Sequence, residues 1–233
     1  MKKSDARKIQ VLKYIVENYL TTGQVTGSKS LIDMYDLDIS SATIRNDMAA
    51  LEQMGLIFQP YNSAGRLPTE RGIRVFVDYL MDDMTSYLLE EETSNDEEEN
   101  LSTHIEHTLY ELVSRLSNTT GELTFACIPS EGVLKYTGVS HLIKKSNTHN
   151  DIDLLPIVET MENMTGFLDL IRSLDITQKV STFIGDEHIG GNLKNTTIIV
   201  KKMNIRGHSG YLGIIGSIKM DYAFNIASLR QVL

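Results

Sequence analysis

The chain holds a single cysteine, Cys127, in 233 residues. One thiol excludes an internal disulfide and a zinc site built from several cysteines. Its setting, LTFACIPS, is strand-like, so Cys127 reads as a buried structural thiol and not as a nucleophile. No run of about 18 apolar residues occurs, and no transmembrane helix is expected. The opening segment, MKKSDARKIQVLKYIVENYL, begins basic but is interrupted by Lys13, Glu17 and Asn18. It lacks the continuous apolar core of a signal peptide, and a cytoplasmic protein with no membrane partner is expected. No internal repeat is seen.

Catalytic patterns are missing as well. GHSGY, residues 207–211, fails the G-x-S-x-G elbow because Tyr211 replaces the last glycine. HIEH, residues 104–107, sets two histidines three apart on a predicted helix, without an H-E-x-x-H motif or a third ligand. GIIGSIK lacks phosphate-loop spacing, and SEGV and SLDIT are turn chemistry. The reading is of a non-enzyme, with no catalytic residues, no metal site and no cofactor.

Positive charge is also in short supply, since the net charge is −9. Its distribution is uneven. Residues 1–81 carry ten Lys/Arg against nine Asp/Glu, whereas residues 82–233 carry twelve against twenty-two. A near-neutral unit can still engage nucleic acid when its basic groups converge on one face. From Asp82 to Glu99 there are nine acidic residues and no basic one. That run reads as a solvated linker, residues 82–97, whose charge also keeps it off phosphates. The length suits one large domain or two small ones, and the 41% hydrophobic content suffices for real cores.

What is present is periodicity. Residues 5–22 place Ile9, Leu12, Ile15, Val16, Tyr19 and Leu20 at helical spacing, with Gly23 as a stop. SKSLIDMY, residues 28–35, predicts a short helix with Ser28 as N-cap and Leu31 and Ile32 facing inward. After the tight connection DLDI, a third helix follows. Ser40 or Ser41 caps it, Ile44, Met48 and Leu51 form its buried stripe, and Gly55 ends it. LIFQPYNSAGRLPT, residues 56–69, predicts a β-hairpin with a small polar tip. Thr69 can cap a further helix, ERGIRVFVDYLMDDM, with Val75, Phe76, Tyr79 and Leu80 as its apolar face. Three helices followed by a hairpin is the order of a winged helix-turn-helix, here residues 1–81.

In such a unit the first turn of the third helix enters the major groove. Ser40, Ser41, Thr43, Arg45 and Asn46 lie there. Small hydroxyl residues permit close approach; Arg45 suits a guanine edge and Asn46 an adenine edge. The helix N-terminus favours an anionic phosphate. The hairpin tip adds Ser63, Gly65 and Arg66, fit for the minor groove or phosphates. The alternative there is a plain turn with Arg66 paired to a nearby acid. Ser28 and Lys29 complete the candidate DNA-binding set, and Lys2, Lys3, Arg7 and Lys8 are further candidates for phosphate contact.

Residues 98–118 resume a helical stripe through Leu101, Ile105, Leu109, Leu112 and Leu116, opening a second domain, residues 98–233. GELTFACIPS, LKYTGVSHLI, KVSTFIG, NTTIIVKK and GYLGIIGSIK read as strands, PIVETMENMTGFLDLIRSL and MDYAFNIASLRQVL as helices, and SNTHND, residues 146–151, as a polar turn. The pattern predicts an α+β domain with a largely antiparallel sheet. Gly210, Gly213 and Gly216 are read as serving tight strand packing.

TGSKSL, DLDISSATIRNDMAALEQMGLI and PYNSAGRLPTERGIRVFVDYL resemble the HrcA family of bacterial heat-inducible transcription repressors, ungapped from about residue 8 to residue 80. IGDEH, residues 184–188, and GYLGIIGSIKMDYAFNIASL, residues 210–229, resemble its C-terminal signature. The resemblance implies a winged helix that binds double-stranded DNA at an inverted-repeat operator of chaperonin operons, followed by a GAF-like regulatory and dimerisation domain. It implies a homodimer, dependence on the chaperonin GroEL and loss of repression on heat stress. The sequence departs from the family in one respect: between VSHLIKK and DIDLLPIVE the inserted dimerising domain of typical members is missing. A palindromic operator still requires two-fold pairing, expected here through the GAF-like domain or the 98–118 helix. The alternative function is a ligand-responsive winged-helix regulator of another family, which a polar-lined apolar pocket in the second domain would favour.

Overall fold

A computed structural model describes residues 3–36, 39–84, 101–148, 154–176, 180–187, 193, 195–205 and 207–232. Contacts divide the chain into two compact units, Met1–Leu88 and Leu89–Leu233.

The first unit begins with α1 (Lys3–Thr22), α2 (Ser28–Tyr35) and α3 (Ser41–Gln53). Val11, Leu12, Ile15 and Val16 of α1 are buried, the three-and-four spacing that puts one face of a helix in a core. Gly23, at φ +69, closes α1 with its N–H on the Tyr19 carbonyl. Here glycine supplies the left-handed backbone that ends many helices. The N-cap of α2 is Gly27 in an extended conformation, with no side-chain cap bond, and not Ser28. Ser28 is instead the first helical residue, and its hydroxyl is turned toward Ser41. Leu31 is buried in α2, whereas Ile32 is only half-buried. In α3 the cap is Ser40, whose side chain accepts from the Thr43 N–H.

Strands β1 (Ile57–Phe58) and β2 (Leu67–Pro68) pair antiparallel, Ile57 opposite Pro68 and Phe58 opposite Leu67. Thr69 caps α4 (Glu70–Met84), its hydroxyl accepting from the Gly72 N–H at 3.0 Å. The inward stripe of α4 is Ile73, Phe76 and Val77. Tyr79, expected inside, is 41% exposed, because the spacing that follows from Ile73 points one position away from it. The backbone of α4 runs through Met84, so residues 82–84 of the acidic segment are helical. Residues 85–97, the rest of that predicted linker, lie outside the described residues.

The second unit runs α5 (Leu101–Thr120), β3 (Leu123–Ile128), β4 (Val133–Thr137), α6 (Val139–Thr148), α7 (Leu154–Glu162), α8 (Met164–Ser173), β5 (Ser181–Ile184), β6 (Thr196–Ile205), β7 (His208–Ser217) and α9 (Tyr222–Gln231). A single 3-10 turn, Gly185–Glu187, follows β5. The five strands form one sheet in the order β4-β3-β7-β6-β5. Every neighbouring pair is antiparallel, so the unit is α+β as the pattern predicts.

Alternation along the strands separates two apolar faces. Leu123, Phe125, Cys127, Ile198, Val200 and Ile215 share one core with Leu142 of α6, Ile157 and Met161 of α7, and Phe167, Leu168 and Ile171 of α8. Phe125 and Phe167 meet edge-to-face, centroids 4.9 Å apart. On the other face, Thr124 donates to the Val113 carbonyl of α5 at 2.8 Å, and Thr197 bonds the Tyr222 hydroxyl of α9 at 2.9 Å. The sheet is thus sandwiched between α5 with α9 and α6 with α7 and α8. Gly213 is required by the first face, where a Cβ would lie 2.4 Å from the Phe125 ring.

LKYTGVSHLI is not one strand: β4 stops at Thr137, Gly138 turns at φ +97, and α6 begins at Val139. Ser146, Asn147 and Thr148 of the expected polar turn belong to α6, while residues 149–151 lie outside the described residues. PIVETMENMTGFLDLIRSL is two helices. Asn163 interrupts them, capping α8 through its side chain on the Gly166 N–H, as asparagine does at helix starts.

Candidate nucleic-acid interface

The cap and first two turns of α3 carry Ser40, Ser41, Thr43, Arg45 and Asn46, half of the predicted contacts. Ser40 Oγ accepts from the Thr43 N–H at 3.2 Å and pairs with Thr43 Oγ1 at 2.9 Å. The first satisfies a backbone N–H that the helix start leaves open. Arg45 and Asn46 are exposed, while Ile44, Asp47, Met48 and Leu51 are buried. The helix therefore turns its base-reading candidates outward and anchors on the opposite stripe.

Ser28 belongs to this cluster by contact. Its Oγ lies 3.1 Å from Ser41 Oγ and accepts from Arg45 Nε at 3.3 Å. The start of α2 thereby touches the start of α3 and holds one nitrogen of the Arg45 guanidinium. Two further nitrogens remain on the fork that pairs with planar acceptors. Lys29 is exposed beside Ser28.

The hairpin brings Arg66 toward α3. Its Nε and Nη2 both reach Glu52 Oε2, at 3.1 and 3.0 Å. Main-chain bonds run both ways between Arg66 and Thr26, each 2.9 Å, so the segment before α2 forms an isolated bridge beside the hairpin. Gly65 sits against that crossing. A Cβ there would lie 2.5 Å from the Thr26 carbonyl carbon and 2.9 Å from the Gly27 nitrogen. Ser63 is exposed at the tip with φ +67, and Tyr61 beside it is 67% exposed.

The remaining basic candidates divide. Arg7 is engaged inward, Nε to Asp47 Oδ2 at 2.6 Å and Nη2 to Asp47 Oδ1 at 3.1 Å. Those bonds raise the guanidinium above its ordinary value. Lys8 pairs with Asp5 within α1 at 3.3 Å. Lys2 and the Lys3 side chain lie outside the described residues. Sequence reasoning missed Asp47, Glu52 and Thr26. Each acquires its role from a partner 14 to 40 residues away, and no local pattern marks such a partner.

In the second unit, Cys127 is fully buried and its thiol is pushed up to about 12, chiefly by loss of water, which keeps it protonated and inert. His107 faces Glu111 at 3.7 Å on the exposed side of α5. No group of three or more potential metal ligands occurs among the described residues. No helix among them is long and apolar enough to cross a membrane.

Residues 68–226 match the family model described as the HrcA protein C terminal domain. The heat-inducible transcription repressor HrcA of Clostridium perfringens is 33% identical over 229 residues, covering 92% of this chain and 63% of that protein. The corresponding repressor of Alkaliphilus metalliredigens is 39% identical over 123 residues, 53% of this chain and 36% of its own length. The chain thus spans less than two thirds of the length of the curated relatives it matches. A crystal structure of a hypothetical protein superposes with a TM-score of 0.76 at 17% identity, over 97% of this chain and 95% of that one. It shares the fold.

Proposed function

The chain belongs to the HrcA family, and from that premise we propose that it is a sequence-specific DNA-binding repressor of heat-shock chaperonin operons. The observation that carries the reading is the outward presentation of Arg45 and Asn46 on the second turn of a helix capped by Ser40. In this reading the first unit is a winged helix-turn-helix. Its α3 enters the major groove, and its hairpin follows the backbone. Arg45 donates in pairs to a guanine edge and Asn46 pairs with an adenine. Ser40, Ser41, Thr43 and Lys29 reach phosphates, as do the hairpin residues Ser63 and Arg66.

The second unit, read as GAF-like, pairs two copies so that two α3 helices meet the halves of an inverted repeat. Heat ends repression by depopulating the DNA-competent state, and the chaperonin GroEL sustains that state. Only a difference in stability between competent and incompetent forms can drive such a switch. No chemical reaction is involved.

Selection of duplexes from a randomised library, followed by footprinting with and without chaperonin, tests this. Enrichment of an inverted repeat that is protected in two symmetric halves is expected. Binding that ignores sequence at moderate salt would sink the reading.

A further inference from the structure

We propose that Arg7 and Asp47 form a positioning pair that sets the roll of α3, and with it the aim of Arg45 and Asn46 at the bases. The inference rests on the DNA-reading function above and deepens it.

The inward stripe of α3 is apolar at Ile44, Met48 and Leu51, and Asp47 interrupts it. The Asp47 side chain is only 4% exposed. A carboxylate so placed is strongly unfavourable unless it is paired. Its partner comes from another helix, 40 residues earlier. Arg7 engages both carboxylate oxygens through Nε and Nη2, a planar fork that fixes direction as well as distance. Apolar contact has no such direction. The apolar stripe selects which face of α3 turns inward, and an aliphatic residue at position 47 would keep that face but lose the fixed direction of the fork.

The roll matters because reading is geometric. A rotation of about 20° at a radius of about 6 Å moves a side-chain tip by roughly 2 Å, more than a hydrogen bond tolerates. Arg45 and Asn46 are the two residues immediately before Asp47, so any rotation at Asp47 is transmitted to them directly. Arg7 therefore serves recognition from the far side of the helix and is not a phosphate contact.

The test compares wild type with Arg7→Lys, Arg7→Gln and Asp47→Asn. The probes are the duplex that the wild-type chain enriches from a randomised library and a shuffled duplex of equal length, titrated over a salt series. Thermal melts of the same samples confirm that each variant is folded at the assay temperature. The expected result is that preference for the enriched over the shuffled duplex falls about tenfold in each folded variant. Binding to the shuffled duplex and its salt slope stay at wild-type values. Arg7→Lys is decisive if Asp47→Asn does not fold, since it keeps the charge and loses the fork. Wild-type preference in Arg7→Lys overturns the proposal. So does a salt slope shallower by about one in Arg7→Gln, the mark of a lost phosphate contact. A wild-type chain that enriches no sequence overturns the DNA-reading function itself, and this inference with it.

Discussion

Arg66 of the hairpin and Glu52 near the end of α3 are joined through two guanidinium nitrogens on one carboxylate oxygen, at 3.1 and 3.0 Å. The hairpin is thereby tied to the helix proposed to read bases. The same carboxylate competes with any phosphate for Arg66. Glu52→Gln removes the competitor and a negative charge near the duplex. Affinity for all duplexes should rise by roughly two- to fivefold, the scale of a part-exposed pair, with a steeper salt dependence. Arg66→Ala should move both quantities the other way. Anisotropy titrations over a salt series read them. Weaker binding by Glu52→Gln would mean that Glu52 aims Arg66 and does not restrain it.

Arg45 is exposed, with one nitrogen held by Ser28 at 3.3 Å. Arg45→Ala should reduce specific binding by about 1–3 kcal/mol and relax preference at one base position. The melting temperature should hardly change, because the side chain covers no core. Competition between operator variants checks it. Unchanged discrimination would remove Arg45 from base reading.

The exposed turn of α3 was legible in the sequence because caps, stripes and outward polar positions are local properties. Ser40, Ile44, Met48 and Leu51 announce themselves within about four turns of chain. The hairpin was legible for the same reason. What could not be read is which distant acid each arginine would meet. Arg7 and Arg66 resemble solvated phosphate ligands until folding sets Asp47 and Glu52 beside them. In the second unit, β4 and α6 merged because Val139 to Ile143 suits either state by composition. Gly138 decides the matter with a backbone turn at φ +97, and Glu122 and Ser117 crowd the space a side chain would take.

Gly65 gives a test of the hairpin's footing. A methyl there would lie 2.5 Å from the Thr26 carbonyl carbon, and Thr26 is bonded main chain to main chain in both directions with the adjoining Arg66. Gly65→Ala must push the Thr26 segment away, which should destabilise the first unit by about 1–3 kcal/mol. Calorimetry on the full chain should show an earlier first-unit transition, with operator affinity reduced alongside. An unshifted melt would mean that the crossing yields freely.

Glu122 offers a stability test in the second unit. It is 3% exposed, and burial pushes its carboxyl above the ordinary range. Lys145, bonded to Oε1, and the neighbouring Asn225 amide offset part of that rise. Among the described residues Oε2 has no hydrogen-bond partner, and the Asn225 amide falls short of hydrogen-bond geometry. Because the folded value is raised, the native chain holds this proton more tightly than the unfolded chain. The associated stability is complete below the unfolded value, about 4.3, and is lost as pH rises through the folded one. Glu122→Gln stays neutral throughout and leaves Lys145, whose side chain is 42% exposed, in contact with water. The variant should match wild type near about pH 4 and melt higher than wild type near about pH 8. Melting curves across that range decide it. A variant that melts lower than wild type at the alkaline end would show that the Lys145 pair outweighs the desolvation of Glu122.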